Sequence, residues 1–367
     1  MRHSSQLIVS FPLLAENIKH IQSLAPASQI LPMVKANAYG HGLLPVAKFL
    51  AHELKIQQIG VASLGEAMSL IKDEPAFPAR IYVFSDTEIL HPEYSQFYLY
   101  HDVLPVLHQV IDVKRVVEDM SFKRLPLVIK LNTGMNRLGV SKEEWSDLVS
   151  VLKKNNRFEI EHLMTHFACA DMKLKAGDRT HRQYEMFKEA KAFFESQGIS
   201  IKTTSVANSG AISQRFGVEE SFVRPGIMMY AGAENGGHNI SKLQSKVMKV
   251  MEIKKGTPVG YGNHVAGDDG VVVILPLGYG DGVLTYASGT RLTVKGAACQ
   301  LFARVNMDLS FLFFKAADFP NIKASEIIEL WNHDPKVIVD IADQMKTISY
   351  QLLCAVSSRV PRIYSVS

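Results

Sequence analysis

The chain has 367 residues, more than a single hydrophobic core usually organises, which predicts a large domain followed by a smaller one. Its composition, 47% hydrophobic and 21% charged, is that of a globular protein and excludes a disordered or low-complexity chain. The net charge of +4 arises from basic residues scattered among acidic ones, so we expect no nucleic-acid partner.

The cysteine pattern indicates a reducing compartment. Three cysteines, odd in number and far apart, predict a cytoplasmic protein without disulfides: Cys169, Cys299 and Cys354. No apolar stretch reaches the length of a membrane span, so we expect no membrane partner. The apolar run Leu7–Leu14, preceded by Arg2 and His3, has the outline of a short signal peptide, but Pro12 interrupts it, which argues against export.

Between residue 29 and about residue 226, short runs of Val, Ile and Leu alternate with longer segments of helical period. The predicted strands are Ile30–Lys35, Ile59–Ala62, Ile81–Phe84, Tyr98–Val103, Leu127–Leu131, Ile160–His166, Thr204–Val206 and Phe222–Arg224. The intervening helices include Leu43–Leu54, Val110–Met120, Lys142–Lys154 and His181–Gln197. Eight parallel strands with helical crossovers predict an α/β protein with an N-terminal (β/α)8 TIM barrel.

Beyond residue 235 the pattern changes to a mainly β C-terminal domain. Its predicted strands are Lys246–Ile253, Val271–Leu275, Leu292–Val294, Leu301–Val305 and Leu309–Phe314. The polar, glycine-rich segment Glu234–His238 predicts the boundary, with domains at residues 1–234 and 235–367. The first residues of the chain are candidates to pair with the β domain.

Unusual polar residues fall at the C-terminal ends of the predicted barrel strands. They are Lys35, Lys130, the loop Asn132–Arg137, His166, Asn208–Gly210 and Arg224–Ile227. In a (β/α)8 barrel these ends share one mouth, where active sites lie, and the loops after the last two strands commonly bind phosphate. Ser209 and Gly226 are small enough to let the backbone approach an anion.

Lys35 is the strongest candidate for covalent chemistry. A lysine that ends an apolar strand is desolvated, which lowers its pKa toward a nucleophilic amine able to form a Schiff base. Taken alone, such a lysine is more often a rim residue whose ammonium reaches solvent. His162 and His166 are four residues apart, but they lie on a predicted strand and lack the Glu of H-E-x-x-H, so we expect no metal.

The segment VKANAYGHG at residues 34–42 resembles the lysine motif that binds pyridoxal 5′-phosphate (PLP) in alanine racemases. Further matches follow in order: NTGMNRLG at 132–139, THFA at 165–168, ANSG at 207–210, VRPGIM at 223–228, VGYG at 259–262, LGYGDG at 277–282, RVNMD at 304–308 and RVPR at 359–362. The chain is identified as a member of this family over nearly its whole length. The resemblance implies a PLP-binding barrel and a β domain.

The resemblance implies that Lys35 holds PLP and that Arg224 faces the pyridine nitrogen. The implied cofactor-binding residues also include His166 and, around the phosphate, Tyr39, Ser209, Gly226, Ile227 and Tyr350. Because an arginine keeps its proton, the ring nitrogen stays largely unprotonated and PLP is a weaker electron sink than beside a carboxylate. Return of a proton to Cα is then favoured over transamination.

Racemisation needs a base on each face of the substrate carbon, and Lys35 can serve only one face. The resemblance implies that Tyr279, from the β domain of the other subunit of a head-to-tail homodimer, serves the second. A tyrosine with its ordinary pKa of about 10 is a poor base at neutral pH. We therefore expect a hydrogen-bonded chain from Tyr279 through His166 to Arg224.

The implied substrate-binding residues are Arg137, Met307 and Asp308, with Arg137 on the carboxylate. Lys130 matches a lysine that is often carbamylated in the family and orients Arg137. The resemblance implies that Met307 and Asp308 come from the partner subunit and keep the pocket small, which indicates alanine as the substrate. Asn136, Asn306 and an N-terminal strand without an acidic residue depart from the usual family pattern.

Three alternative functions can be distinguished by features that the sequence contains or lacks. A racemase of broader specificity, acting on serine, lysine or arginine, shares these motifs but usually carries an export signal and a roomier pocket. A PLP-dependent decarboxylase would show its own C-terminal cysteine motif, and a PLP-homeostasis protein has the barrel alone. We expect D-alanine for peptidoglycan as the commoner use of the product in bacteria, with alanine catabolism as the other.

Overall fold

The computed structural model describes residues 4–89, 91–233 and 236–365. The chain divides into two compact units. The barrel unit comprises Ile18–Ala38 and Leu43–Met228, and the strand-rich unit comprises the described residues of Met1–Asn17, Tyr39–Gly42 and Met229–Ser367. Arg2 and His3 and, at the predicted boundary, Glu234 and Asn235 lie outside the described residues, so that boundary stays a prediction.

The first strand, β1 (Ser5–Ser10), belongs to the strand-rich unit, and the strands that follow it form the barrel. They are β2 (Gln29–Ile30), β3 (Gln58–Ser63), β4 (Arg80–Asp86), β5 (Val103–Leu107), β6 (Val128–Lys130), β7 (Glu159–Met164), β8 (Ser200–Asn208) and β9 (Phe222–Arg224). All neighbouring pairs are parallel, and β2 pairs with β9. A parallel bridge between Met33 and Gly60 brings the two ends of the sheet together. The predicted barrel is confirmed.

Helices follow the barrel strands, as a parallel sheet requires. Along the chain the helices are Phe11–Leu24, Leu43–Lys48, Leu64–Asp73, Pro92–Tyr100, Val110–Glu118, Trp145–Lys154, Arg179–Ser196, Ser209–Ser213, Ile227–Tyr230, Pro335–Gln344 and Ser349–Ala355. Ser63, Asp178 and Asn208 each begin one of them by accepting a backbone N–H group of its first turn. No helix within the described ranges has the length and apolar character to cross a membrane.

Two predicted barrel strands are wrong in place or extent, and a third, predicted at 160–166, ends at Met164, so that His166 lies just beyond it. The segment 98–103 was predicted as the fourth strand, but Pro92–Tyr100 is a helix and the strand is Val103–Leu107. His91 accepts the Glu93 N–H and Pro92 occupies the first turn, a combination that favours a helix start. The first strand ends at Ile30, so Lys35 lies beyond the strand and not at its end.

The strand-rich unit is built from short sheets whose strands pair antiparallel, except that β1 (Ser5–Ser10) pairs with the last strand in parallel. Its later strands are β10 (Ala231–Ala233), β11 (Gly236–Asn239), β12 (Ser241–Lys246), β13 (Lys249–Ile253), β14 (Pro258–Val259), β15 (His264–Val265), β16 (Gly270–Leu275), β17 (Arg291–Val294), β18 (Ala297–Phe302), β19 (Ser310–Lys315), β20 (Ile327–Trp331) and β21 (Arg362–Ser365). The largest sheet has the order β13-β16-β19-β18-β17, and β1 lies between β12 and β21 in a second sheet. The predicted strand-rich C-terminal region is confirmed. Two of its predicted strands differ from the structure: 246–253 covers the end of β12 and all of β13, and 301–305 extends three residues past the end of β18.

Candidate active site

Lys35 is half-buried and begins a left-handed turn, in which Ala36, Asn37, Ala38 and Tyr39 all have φ between 52° and 54°. Such values are strained for residues with a Cβ, so other contacts must hold the turn. The carboxylate of Glu66 does so: one oxygen accepts the Ala36 N–H at 2.6 Å, while the other accepts a backbone N–H at the end of β3 at 2.8 Å. This carboxylate therefore fixes the backbone next to Lys35.

Lys130 is the last residue of β6 and is buried. Burial, followed by the charges of Arg224, Arg137 and Lys35, lowers the pKa of Lys130 to about 8. The neighbours that shift its pKa are all cations. Arg224, Arg137 and Lys35 thus lie close enough to Lys130 to act on its charge, which creates a region of the barrel unit suited to anionic ligands.

The loop after β6 presents Arg137, which is exposed. Asn136 has φ 57°, a left-handed value that asparagine tolerates better than most residues. The Asn132 side chain accepts the Asn136 N–H at 2.9 Å and donates to the Asn136 side-chain oxygen at 3.1 Å. This departure from the family pattern therefore fits the backbone that carries Arg137.

Arg224 is the last residue of β9 and is buried. Its guanidinium donates to the Ser205 hydroxyl, to the Thr165 carbonyl at 2.5 Å and to the Val206 carbonyl at 3.4 Å. Burial lowers the pKa of Arg224 to about 9, which still leaves it charged at neutral pH. A buried arginine bonded to these neutral oxygens keeps its full positive charge for a ligand.

The ring of His166, just past the end of β7, lies beside this arginine: its Nδ1 is 3.5 Å from an Arg224 Nη atom. Burial, with the charges of Arg224 and Lys130 as the next causes, lowers the pKa of His166 well below its usual value. The imidazole is therefore neutral, and because Arg224 can only donate, the His166 proton lies on Nε2.

Three of the residues predicted to bind phosphate, Ser209, Gly226 and Ile227, lie together in the barrel unit. The Ser209 hydroxyl oxygen accepts the N–H of Gly226 at 2.9 Å and, at 3.4 Å, that of Met228. Ile227 lies between these two residues and is buried. The loops after β8 and β9 therefore meet through small groups and backbone donors, the surroundings that an anion requires.

Two of the predicted phosphate ligands belong to the strand-rich unit. Tyr39 stacks on Tyr230 with ring centroids 4.8 Å apart, and its centroid is 5.9 Å from that of Tyr350. Burial raises the pKa of Tyr39, so its hydroxyl keeps its proton and can donate. Tyr350 is partly exposed.

Tyr279 begins a 3-10 turn and is 43% exposed. Its N–H donates to the Asn306 carbonyl at 2.9 Å, and the Gly280 N–H donates to the Met307 carbonyl at 2.8 Å. A Cβ at Gly278 would lie 2.3 Å from the Met307 oxygen, so only glycine allows the two segments to pack. The glycine-tyrosine-glycine motif is thus explained by its backbone contacts.

The segment that packs against the turn of Tyr279 carries the other two residues predicted to come from a partner subunit, Met307 and Asp308. Met307 is 54% exposed, and Asp308 accepts from Arg359 at 2.7 Å. Arg359 also lies 3.3 Å from Asp281, so one guanidinium links the turn of Tyr279 to the segment of Asp308. Tyr279, Met307 and Asp308 therefore form one largely exposed group in the strand-rich unit.

The sequence interpretation missed four residues that hold these groups: Glu66, Ser205, Arg359 and, in the hydrogen-bond network below Arg224, His162. The alternation of a strand gave one usable signal, because His162, Met164 and His166 fall on the same side at a period of two. Glu66 had no sequence signal, and Arg359 was marked only by the RVPR motif at 359–362, which does not show the distant segments that it contacts.

Two family models describe this chain. The alanine racemase N-terminal domain matches residues 9–234, and the alanine racemase C-terminal domain matches residues 240–364. The chain belongs to the alanine racemase family. The predicted family is therefore confirmed, and this racemase is an isomerase.

Individual relatives agree with the family models. The racemase is 31% identical to an alanine racemase of Carboxydothermus hydrogenoformans, over 95% of this chain and 97% of the relative. It is similar to the crystal structure of a biosynthetic alanine racemase from Pseudomonas aeruginosa, with 27% identity, a TM-score of 0.83, and 99% and 100% of the two chains covered. The fold also matches an alanine racemase from Streptomyces lavendulae, with a TM-score of 0.87 at 23% identity and 100% and 98% coverage.

Proposed function

We propose that the protein interconverts L-alanine and D-alanine with PLP bound at Lys35. The observation that carries this proposal is the group of basic side chains around buried Lys130, where the charges of Arg224, Arg137 and Lys35 act on the Lys130 amine. An anionic cofactor and a substrate carboxylate are the ligands that such a cluster accommodates. Bound PLP supplies an electron sink for negative charge at the substrate Cα.

The residues present fit that cofactor. Arg224 keeps its charge among neutral acceptors and would face the pyridine nitrogen. Ser209, Gly226 and Ile227, with Tyr39 and Tyr350, would hold the phosphate, and the short Ser209–Gly226 distance supports a shared role. A ring nitrogen opposite an arginine stays largely unprotonated, which disfavours transamination.

Two bases on opposite sides of the substrate carbon would move its proton. The Lys35 amine would remove or return the proton on one face, and the Tyr279 hydroxyl of a second copy of the chain would do so on the other. The exposure of Tyr279 supports this arrangement, since a residue that acts in another subunit must face outward. His166, with its proton on Nε2, would donate toward that tyrosine oxygen and stabilise its phenolate form.

Arg137 would bind the substrate carboxylate through its guanidinium fork. Lys130 would react with carbon dioxide, forming an N–C bond and releasing one proton, because a pKa of about 8 leaves part of its amine neutral near pH 7. The resulting carbamate would turn a cation into an anion that can hold Arg137.

We propose a head-to-tail homodimer, domains at residues 1–234 and 235–367, a cytoplasmic location and a product used for peptidoglycan.

The test is proton exchange at Cα. Purified protein with PLP is incubated with L-alanine, L-serine or L-lysine in deuterated water, and optical rotation and deuterium incorporation are followed together. We expect L-alanine to racemise fastest, with deuterium entering Cα. Faster turnover of serine or lysine would instead support a racemase of broader specificity.

A further inference from the structure

A buried network of hydrogen bonds lies below Arg224 in the barrel unit. His162 of β7 is fully buried, and both of its ring nitrogens have partners. Its Nδ1 is 2.8 Å from the Thr203 hydroxyl, and its Nε2 is 2.7 Å from the Ser205 hydroxyl. Ser205 in turn accepts from Arg224. We call these four residues the Arg224 relay.

The chemistry of the donors fixes the direction of every bond in the relay. Thr203 has one hydroxyl hydrogen and donates it to the Glu161 carbonyl at 2.6 Å. Its oxygen therefore accepts from His162, which puts the imidazole proton on Nδ1. His162 Nε2 is then an acceptor, so Ser205 donates its hydrogen to it. The Ser205 lone pairs are left to face Arg224, which can only donate.

The tautomer of His162 thus decides what Ser205 offers to Arg224. With the proton on Nε2, the Ser205 hydroxyl would turn its hydrogen away from the ring and toward the guanidinium. Aromatic neighbours hold the ring in place: the Tyr82 and Phe222 centroids are 5.9 Å and 5.4 Å from that of His162. Packing and hydrogen bonding therefore select one orientation.

We propose that His162 is a positioning residue for Arg224, acting through Ser205 to hold the guanidinium in a single orientation. The effect on catalysis rests on the proposed role of Arg224 at the cofactor nitrogen, whereas the order of the hydrogen bonds does not. Burial and the charge of Arg224 lower the pKa of His162 to about 3, so its ring is neutral across the working range.

The variants separate the acceptor from the bulk of the ring. His162→Phe keeps a ring but removes both nitrogens, and His162→Gln supplies an amide oxygen as a substitute acceptor for Ser205. Ser205→Ala removes the next member, and Ser205→Thr restores its hydroxyl. His52→Phe, at an exposed histidine of the same unit, is the matched control.

We expect His162→Phe and Ser205→Ala in the PLP-loaded enzyme to lower kcat about 10- to 100-fold, the effect of losing an oriented partner of a charged group. KM for alanine should change less than about 3-fold, since Arg137 is untouched. Both variants should shift the visible absorbance of bound PLP alike, the double variant should add little, and His162→Gln and Ser205→Thr should recover most of the loss.

Nitrogen-15 NMR of the histidine rings, with His162 assigned by its loss in His162→Gln, tests the bond order directly. A proton on Nδ1 supports the relay, and a proton on Nε2 or on both nitrogens overturns it. A well-folded His162→Phe enzyme with unchanged kcat and absorbance also overturns it. If His162→Phe does not fold, the Ser205 pair decides in the same way.

Failure of the proposed function would look different. If the wild-type protein did not racemise alanine, the function would be wrong. The NMR tautomer of His162, which requires neither PLP nor turnover, would still decide the relay.

Discussion

The basic groups of the barrel unit and the outward-facing group of the strand-rich unit differ in how they are held. Lys130 and Arg224 are buried, and their pKa values fall because burial disfavours their charge. Tyr279 and Met307 are 43% and 54% exposed. The barrel unit thus holds buried cations, whereas the group in the strand-rich unit is largely exposed. This contrast fits the proposed site, in which a second copy of the chain supplies the exposed group.

The largest effect on activity should come from substituting Lys35, in the barrel unit. Lys35→Ala removes both the proposed PLP attachment and one base, so we expect kcat/KM to fall by at least about 1,000-fold in a racemisation assay. The exposed Lys19→Ala is the matched control. Borohydride treatment of the wild type, followed by peptide mass mapping, should find the pyridoxyl group on Lys35 and on no other lysine.

Subunit mixing sharpens the comparison further. Lys35→Ala and Tyr279→Phe chains, each inactive alone, are unfolded together and refolded with PLP. If Tyr279 acts in the other subunit, each hybrid dimer has one intact site, and about a quarter of wild-type activity returns. No recovery, with hybrids confirmed by mass, would place both bases in one chain.

A smaller effect should follow at the substrate carboxylate. Arg137→Lys keeps the charge but loses the planar fork, so KM for alanine should rise about 10- to 100-fold with a smaller change in kcat. Initial rates over a range of alanine concentrations measure both, with the exposed Arg115→Lys as control. An unchanged KM would remove Arg137 from the carboxylate site.

Acid should weaken the barrel unit through its buried histidines. The unfolded chain protonates a histidine near pH 6.5, while folded His162 does so only near pH 3. Stability is therefore lost as pH falls from about 6.5 toward 3, by about 2 kcal/mol at pH 5 for this residue. Urea unfolding of His162→Phe at pH 7.5 and pH 5 should show a correspondingly smaller acid loss than wild type, and equal losses would contradict this.

The smallest effect should lie in the strand-rich unit. Arg359→Gln breaks the ion pairs to Asp308 and Asp281, but the backbone bonds of Tyr279 remain, so kcat should fall only a few-fold. High salt should weaken the exposed Arg359–Asp308 pair of the wild type and so reduce the difference in kcat between wild type and variant. A loss beyond about 100-fold would show that Arg359 touches the substrate directly.

The sequence predicted the barrel well because its strands are apolar runs separated by clear helices. It failed at the fourth strand because Pro105, inside β5, reads as a strand breaker, while the helix residues Tyr98 and Tyr100 read as strand formers. The candidate site residues were identified from short motifs, which show which residues match the family but not which residues they contact. Glu66 and His162 act on distant segments, and only the fold brings such partners together.

The left-handed turn after Lys35 also bears on engineering. Four successive residues with side chains in this conformation cost about 1–2 kcal/mol each, which the rest of the molecule must offset. Ala36→Gly would relieve that strain and is expected to raise the melting temperature. We expect kcat to fall, because the backbone that positions Lys35 becomes less rigid. Selection for thermostable forms of this racemase would thus favour substitutions at this turn that lower its activity.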